Sequence, residues 1–300
     1  MFRTPKFWQS KNPIAISLLP LALIFKFCTF LRRMIARPIK ARAKVICVGG
    51  NIAGGSGKTG VVIEICKILK QNSANFCVVT YGPGGNFRGP VLIDKTTKIS
   101  EAGDEALILL NFAPTIIAKK KEQALILADE LGFEYILVDD GLQNPNFQKD
   151  LTICTFNPQI PNNGLLFPAG PNREPLKSSI EKSDILITFG KNAHKKFSPS
   201  FDNEDIIAFS SIANPVLFIK SLEENGAKIV KFYEFPDHFA YNQSDLDLIF
   251  KSGEQNKYVT TLKDYVKLPL FFQKKVIIFK ESIIFDQSKK LTDEILRKKN

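Results

Sequence analysis

The chain has 300 residues, 44% of them apolar and 24% charged, which supports one large core or an ordinary core with a smaller partner and excludes a disordered chain. Its 41 Lys and Arg against 30 Asp and Glu leave a net charge of +11, a balance that points first to nucleic acid or a membrane surface. Ten of those basic residues and no acidic one lie within residues 1–44, and the other 31 basic and 30 acidic residues nearly cancel, which is not the spread of charge that a nucleic-acid cleft needs.

An apolar stretch over 14–31 comes first, interrupted by Pro20 and Lys26. It is too broken for a spanning helix, lacks the small-residue cleavage site of a signal peptide, and is followed by Arg32, Arg33 and Arg37. It predicts a membrane-associated segment over 1–34, an interfacial helix whose arginines meet anionic head groups, with the body on the cytoplasmic side. Residues 44–48 (KVICV) then read as a buried strand, 59–71 as a helix, and 76–80 (FCVVT) as a second strand before a Gly-rich turn at 82–85. Helical spacing returns at 105–110 and 123–131. Strands follow at 135–138 (YILV), 151–156 and 185–189. Strands alternating with helices predict an α/β fold with a mostly parallel sheet covered on both faces. The polar stretch 191–205 suggests a boundary between a core over 35–205 and a smaller α/β unit over 206–300. In the latter IIAFS, IKSL, KIVKFYEF, YVTTL and KVIIFK read as strands and 244–250 as a helix. Cys28, Cys47, Cys66, Cys77 and Cys154 are odd in number and without metal-pair spacing, so they read as reduced core residues.

The strongest local signal is the run Ala53, Gly54, Gly55, Ser56, Gly57, Lys58, Thr59 between a strand and a helix. Amides of residues 52–57 would cradle phosphate oxygens, aided by the helix N-terminus. Lys58 would reach the β- and γ-phosphates of ATP, and the Thr59 hydroxyl would bind Mg²⁺. The full P-loop pattern needs Gly at 52, where this chain has Ile52. Asp139 and Asp140 end an apolar strand, facing the crevice where a magnesium-binding acid belongs, although Asp-Asp-Gly is also ordinary turn chemistry. Asp104 and Glu105 precede a helical pattern. Spacing alone reads them as a helix cap, with a general base or a metal carboxylate as the functional alternative. His194 reads as surface, and His238 carries no local signal beyond its Pro-Asp neighbours.

Taken in order, these segments resemble the tetraacyldisaccharide 4′-kinases of lipid A synthesis. The matching blocks are Pro5-Lys6-Phe7-Trp8, the paired glycines before Gly57-Lys58-Thr59, Gly103-Asp104-Glu105, Asp139-Asp140-Gly141-Leu142-Gln143, the run 168–175 (PAGPNREP), Phe235-Pro236-Asp237-His238 and Thr260-Thr261-Leu262-Lys263-Asp264. The paired-glycine form of the loop accounts for Ile52. The resemblance implies a P-loop NTPase-like core and transfer of the γ-phosphate of ATP to the 4′-hydroxyl of a tetra-acylated glucosamine disaccharide 1-phosphate at the cytoplasmic face of the bacterial inner membrane. It implies a catalytic pair, Asp104 and His238, that helps deprotonate the sugar hydroxyl. Thr59, Glu105, Asp139 and Asp140 would gather around Mg²⁺, and Lys121, Gln143, Asn144 and Arg173 would face the substrate. No nucleic acid is implied as partner. The two units are expected to close over ATP.

Four positions depart from the family's pattern: Tyr81 and Lys121 stand where it has Arg, Asn144 where it has His, and Leu262 where it has Glu. Two other readings stay open on the sequence. One is a membrane-docked P-loop ATPase that switches partners. The other is a degenerate homologue that binds the lipid precursor and transfers weakly.

Overall fold

A computed structural model describes residues 5–52, 57–212, 215–237, 239–251 and 257–298. After a 3-10 turn at Lys6–Trp8, α1 (Pro13–Ser17) and α2 (Leu19–Ile35) form the N-terminal helices. Then follow β1 (Lys44–Gly50), α3 (Lys58–Gln71), β2 (Phe76–Thr80), β3 (Val91–Ile93), α4 (Ile99–Ala102), α5 (Asp104–Leu110), β4 (Thr115–Ile117), α6 (Lys121–Glu130), β5 (Tyr135–Asp139), β6 (Leu151–Phe156), α7 (Leu176–Glu181) and β7 (Ile185–Thr188). The second part comprises β8 (Ala193–Ser198), β9 (Asp205–Ser210), α8 (Pro215–Glu224), β10 (Lys228–Glu234), α9 (Gln243–Phe250), β11 (Lys257–Thr261), α10 (Leu262–Tyr265), α11 (Leu270–Gln273), β12 (Val276–Phe285) and α12 (Ser288–Leu296).

The first sheet has the order β3-β4-β2-β5-β1-β6-β7, parallel except for β3. Every residue of β1 is buried because both faces are covered. The period of two divides its side chains. Ile46 and Val48 meet Val61, Val62, Ile65 and Leu69 of α3, whereas Val45 and Cys47 point to the opposite core with Ala124, Leu125 and Ala128 of α6. Cys66, Cys77 and Cys154 are buried like Cys47, Cys28 is exposed, and all five cysteines are free thiols.

The second sheet runs β10-β9-β11-β12-β8. Phe218 and Leu222 of α8 cover one face, and Leu246 and Ile249 of α9 cover the other. Strand β12 pairs in parallel with β11 through Phe279, then antiparallel with β8 from Lys280. Its far end packs against α3, where Ile283 joins the first core and its amide donates to Glu64 at 3.3 Å. Helix α12 also returns to the first unit. The Lys44 ammonium, at the foot of β1, donates to the carbonyls of Glu294, Ile295 and Arg297 in its last turn at 2.9, 2.9 and 2.6 Å. That arrangement satisfies carbonyls the helix cannot bond internally.

Two expectations change here. The IKSL run lies inside α8, where Phe218 and Leu222 recur at helical spacing. The polar stretch after residue 190 contains β8, an edge strand whose charged residues stay in solvent while it pairs with β12.

Candidate active site

The C-terminal ends of β1 and β5 lie side by side, so residues following each strand share one crevice. Asn51 is almost fully buried. Its Nδ2 donates to Asn172 Oδ1 at 3.2 Å and its carbonyl accepts the Arg173 amide at 2.7 Å. Ile52 is buried and forms a β-bridge with Asn172, so the approach to the loop is fixed to the 168–175 block. Ala53, Gly54, Gly55 and Ser56 lie outside the described residues, as does His238. Gly57 has φ of +78°, and a Cβ there would come within 2.5 Å of the Phe189 ring, so both conformation and space require glycine. Lys58 and Thr59 then open α3.

After β5 the chain turns sharply. Asp140 adopts φ of +55°, and a Cβ on Gly141 would stand 2.7 Å from Val138 Cγ1 and 2.9 Å from Cys47 Sγ. Asp140 Oδ1 accepts from Arg173 at 2.6 Å, with the Lys58 ammonium 3.7 Å away. Burial alone would raise its pKa, but Lys58 and Arg173 outweigh burial and hold it at about 2. Burial wins at Asp139, 4% exposed, and pushes its carboxyl above the ordinary range despite Lys121 nearby. Thr80 donates to Asp139 Oδ2 at 3.3 Å, while Asp139 Oδ1 is buried without a hydrogen-bond partner among the described residues.

A buried carboxylate oxygen without a partner among the described residues, near Lys58 at the head of α3, suits a hard cation. Among the described residues no three Asp, Glu, His or Cys side chains gather into a cage. The donor set therefore fits Mg²⁺, which takes one or two protein carboxylates and completes its shell with water and phosphate.

The residues expected to face substrate divide into two groups. Lys121 is buried, its ammonium donating to the carbonyl oxygens of Asp139 and of Asp140, the latter at 2.8 Å, and so braces the acidic turn. Asn144 likewise shapes the turn, its side chain accepting the Asn146 amide at 3.0 Å. Gln143 and Arg173 bond to the end of β1 and the residue after it. Gln143 Nε2 donates to the Gly50 carbonyl at 3.1 Å and to Glu174 Oε1 at 3.2 Å. Glu174 was not singled out from the sequence. It is buried, and although burial opposes ionisation, Lys182 at 2.6 Å and Arg33 at 2.8 Å hold its carboxyl at about 2. Arg33 belongs to α2, so Glu174 and Gln143 connect the N-terminal helix to the end of β1.

Asp104 stands at the first position of α5, 3% exposed, with Oδ1 accepting the Glu105 amide at 3.0 Å. Gly103 before it has φ of +81° and packs against the 82–85 turn. Asp104 Oδ2 faces the second unit, 3.6 Å from the Lys263 ammonium and 3.9 Å from that of Lys267. Lys263 also reaches Asp237 Oδ1 at 2.8 Å, the residue immediately before His238. The sequence reading placed Lys263 in a matching block without a role and left Lys267 unremarked. Glu105 sits half-buried beside Asp104.

The N-terminal helices pack on the 167–168 turn. The Trp8 indole donates to the Pro168 carbonyl at 2.9 Å, and Phe25 meets Phe167 edge to face at 5.3 Å. Ala15 and Ala22 are the buried residues of α1 and α2, while Leu23, Phe27 and Met34 are 66, 60 and 68% exposed. Among the described residues no helix is long and apolar enough to cross a membrane.

Comparison with known proteins gives one result throughout. A family model described as tetraacyldisaccharide-1-P 4′-kinase matches residues 14–203 and 191–300. The tetraacyldisaccharide 4′-kinase of Rickettsia canadensis is 37% identical over 285 residues, covering 88% of this chain and 87% of the relative. That of Rickettsia typhi is 35% identical over 315 residues, covering 98% of each. The crystal structure of LpxK from Aquifex aeolicus in complex with ATP superposes with a TM-score of 0.80 at 25% identity, covering 94% of this chain and 98% of that one. With the fold, the phosphate-loop setting and these matches in agreement, the chain belongs to the tetraacyldisaccharide-1-P 4′-kinase family.

Proposed function

We propose that this protein is a kinase that transfers the γ-phosphate of ATP to the 4′-hydroxyl of a tetraacyldisaccharide 1-phosphate, giving the bisphosphorylated lipid A precursor. The observation that carries the reading is the meeting of Lys58, at the head of α3, with Asp140 and Arg173, next to Asp139 at the end of β5, in a chain of this family. The 4′-oxygen forms a bond to the γ-phosphorus while the bond to the β–γ bridging oxygen breaks and ADP leaves. Asp104, acting with His238, takes the hydroxyl proton. Lys58 leaves Asp140 for the β- and γ-phosphates, and Arg173 is available to an anionic group of the lipid. Thr59 and Asp139, with Glu105 and Asp140 alongside, would hold Mg²⁺, which would neutralise charge on the phosphate oxygens.

The acceptor's acyl chains stay in a bilayer, and α1 and α2 supply a means of reaching it. Their exposed leucines and phenylalanines would enter the acyl boundary while Arg32, Arg33 and Arg37 meet anionic head groups on the cytoplasmic side. The protein is then peripheral, held at the inner membrane surface without spanning it.

The test is incubation of purified protein with labelled ATP, Mg²⁺ and tetraacyldisaccharide 1-phosphate in detergent. A labelled bisphosphorylated lipid is expected, whereas free phosphate without lipid product would favour an ATPase and reject the kinase. Asp104→Ala and His238→Ala should each lower kcat about 100-fold or more while ATP binding changes little.

A further inference from the structure

The face of the second unit that meets Asp104 carries two ammonium groups, each tied to its own carboxylate. Lys263 lies between Asp104 and Asp237, at 3.6 and 2.8 Å, an alternation of negative, positive and negative charge across the boundary between the sheets. Lys267 is fixed more deeply. Its side chain is 3% exposed, and its ammonium donates to Ser211 Oγ at 2.6 Å and lies 3.3 Å from Asp264 Oδ1. Asp264 is wholly buried and accepts from the Ser211 amide, from Tyr241 at 2.9 Å and from Thr261 at 2.7 Å. This network gives Lys267 a set direction, and in that direction the next acid is Asp104, 3.9 Å away. Both separations from Asp104 exceed hydrogen-bond length, so the attraction is Coulombic and tolerates a shift of the carboxylate.

We propose that Lys263 and Lys267 are positioning residues for Asp104, an electrostatic latch through which the second unit sets where the base stands. The inference rests on the kinase reading for its rate effect and on geometry alone for the latch. A buried carboxylate needs compensating charge, and Lys263 and Lys267 both supply it from the opposite unit. The position of Oδ2 therefore depends on how the two units sit together. Lys263 links that placement to Asp237 and hence to the segment bearing His238. Lys263, on α10 and 21% exposed, is the half of the latch that can be changed without opening the buried Asp264 network.

Lys263→Met should lower kcat about tenfold to a hundredfold, the scale of a small misplacement of a reacting group, while KM for ATP stays within about twofold. Lys263→Arg should recover part of the rate. In an Asp104→Ala background, Lys263→Met should have no further effect, because the residue it positions is gone. Unchanged kcat in Lys263→Met, or losses that multiply in the double variant, would overturn the proposal. If the unaltered enzyme makes no phosphorylated lipid, the kinase reading fails, and the latch is still decided by distance. Spin labels at Lys70 and Glu223 in a Cys28→Ser background should report a longer or broader separation in Lys263→Met than in the parent. An unchanged distribution would remove the latch.

Discussion

At the end of β5, two adjacent carboxyls sit in different electrostatic surroundings. Asp140 keeps 30% of its side-chain surface and is held at about 2 by Lys58 and Arg173 against the effect of burial. Asp139 is buried, and its proton is harder to remove than usual. The signs of their stability contributions are therefore opposite. Asp140 stabilises the fold above its ordinary value of 3.8, and that contribution is lost as pH falls through about 2. Asp139 binds its proton more tightly folded than unfolded, so its ionised form weakens the metal-free fold at neutral pH. Asp139→Asn should raise the stability of the metal-free protein by about 0.5–2 kcal/mol and abolish the rise in Tm that Mg²⁺ and ATP produce. Asp140→Asn should lower stability by about 1 kcal/mol after solvent screening, with the gap to wild type closing as pH approaches 2. Thermal melts across pH, with and without Mg²⁺ and ATP, check both. A destabilised Asp139→Asn would mean that Lys121 needs that charge more than burial opposes it. Both acids were legible from their place at a strand end. The partners Lys58 and Arg173 were legible as residues and not as partners, since nothing local pairs position 140 with 173. Lys263 and Lys267 needed the second sheet in place before they could be associated with Asp104.

The elements divide by how much of their environment is local. Strands β1, β2, β5 and β6 are runs buried on both faces, so continuous apolar sequence was enough to find them. Strand β8 reads as polar because it is an edge, and α8 was misread because four residues of apolar and polar mix fit either period. The N-terminal helices were legible as an apolar segment between basic residues, but the face left bare depends on the docking of Trp8 and Phe25 on the 167–168 turn. That docking supports a test sharper than truncation, which would also strip contacts from the body. Leu23 and Phe27 contribute little to the fold, being 66 and 60% exposed. Leu23→Glu with Phe27→Glu should sharply reduce co-sedimentation with anionic vesicles while leaving Tm within about 2 °C, since exposed positions rarely change stability by more than about 0.5 kcal/mol. A double variant that still pellets with vesicles would shift the attachment to another surface.

The chain crosses between its two sheets more than once, and that decides how the whole molecule holds together. After the second sheet is built, β12 and α12 come back to the first, placing Ile283, Leu291 and Ile295 in the core formed by β1 and α3. Lys44 then secures the last turn of α12 to the foot of β1 through three carbonyl contacts. A boundary drawn at 205 follows the polarity of the sequence, yet a chain ending there would lack those three side chains. Each contributes about 1.5–3 kcal/mol when fully buried. Their joint loss approaches the net stability of about 5–15 kcal/mol expected of a whole domain. It would also remove the three carbonyls that accept from the Lys44 ammonium. A protein of residues 1–205 is therefore expected to show no cooperative thermal transition by calorimetry or circular dichroism, whereas the full chain melts as a folded protein. Lys44→Met in the full chain should produce a milder version, with faster hydrogen exchange in α12 and a stability loss of about 2 kcal/mol. If residues 1–205 instead melted sharply, near the temperature of the full protein, the returning strand and helix would be dispensable to the first core.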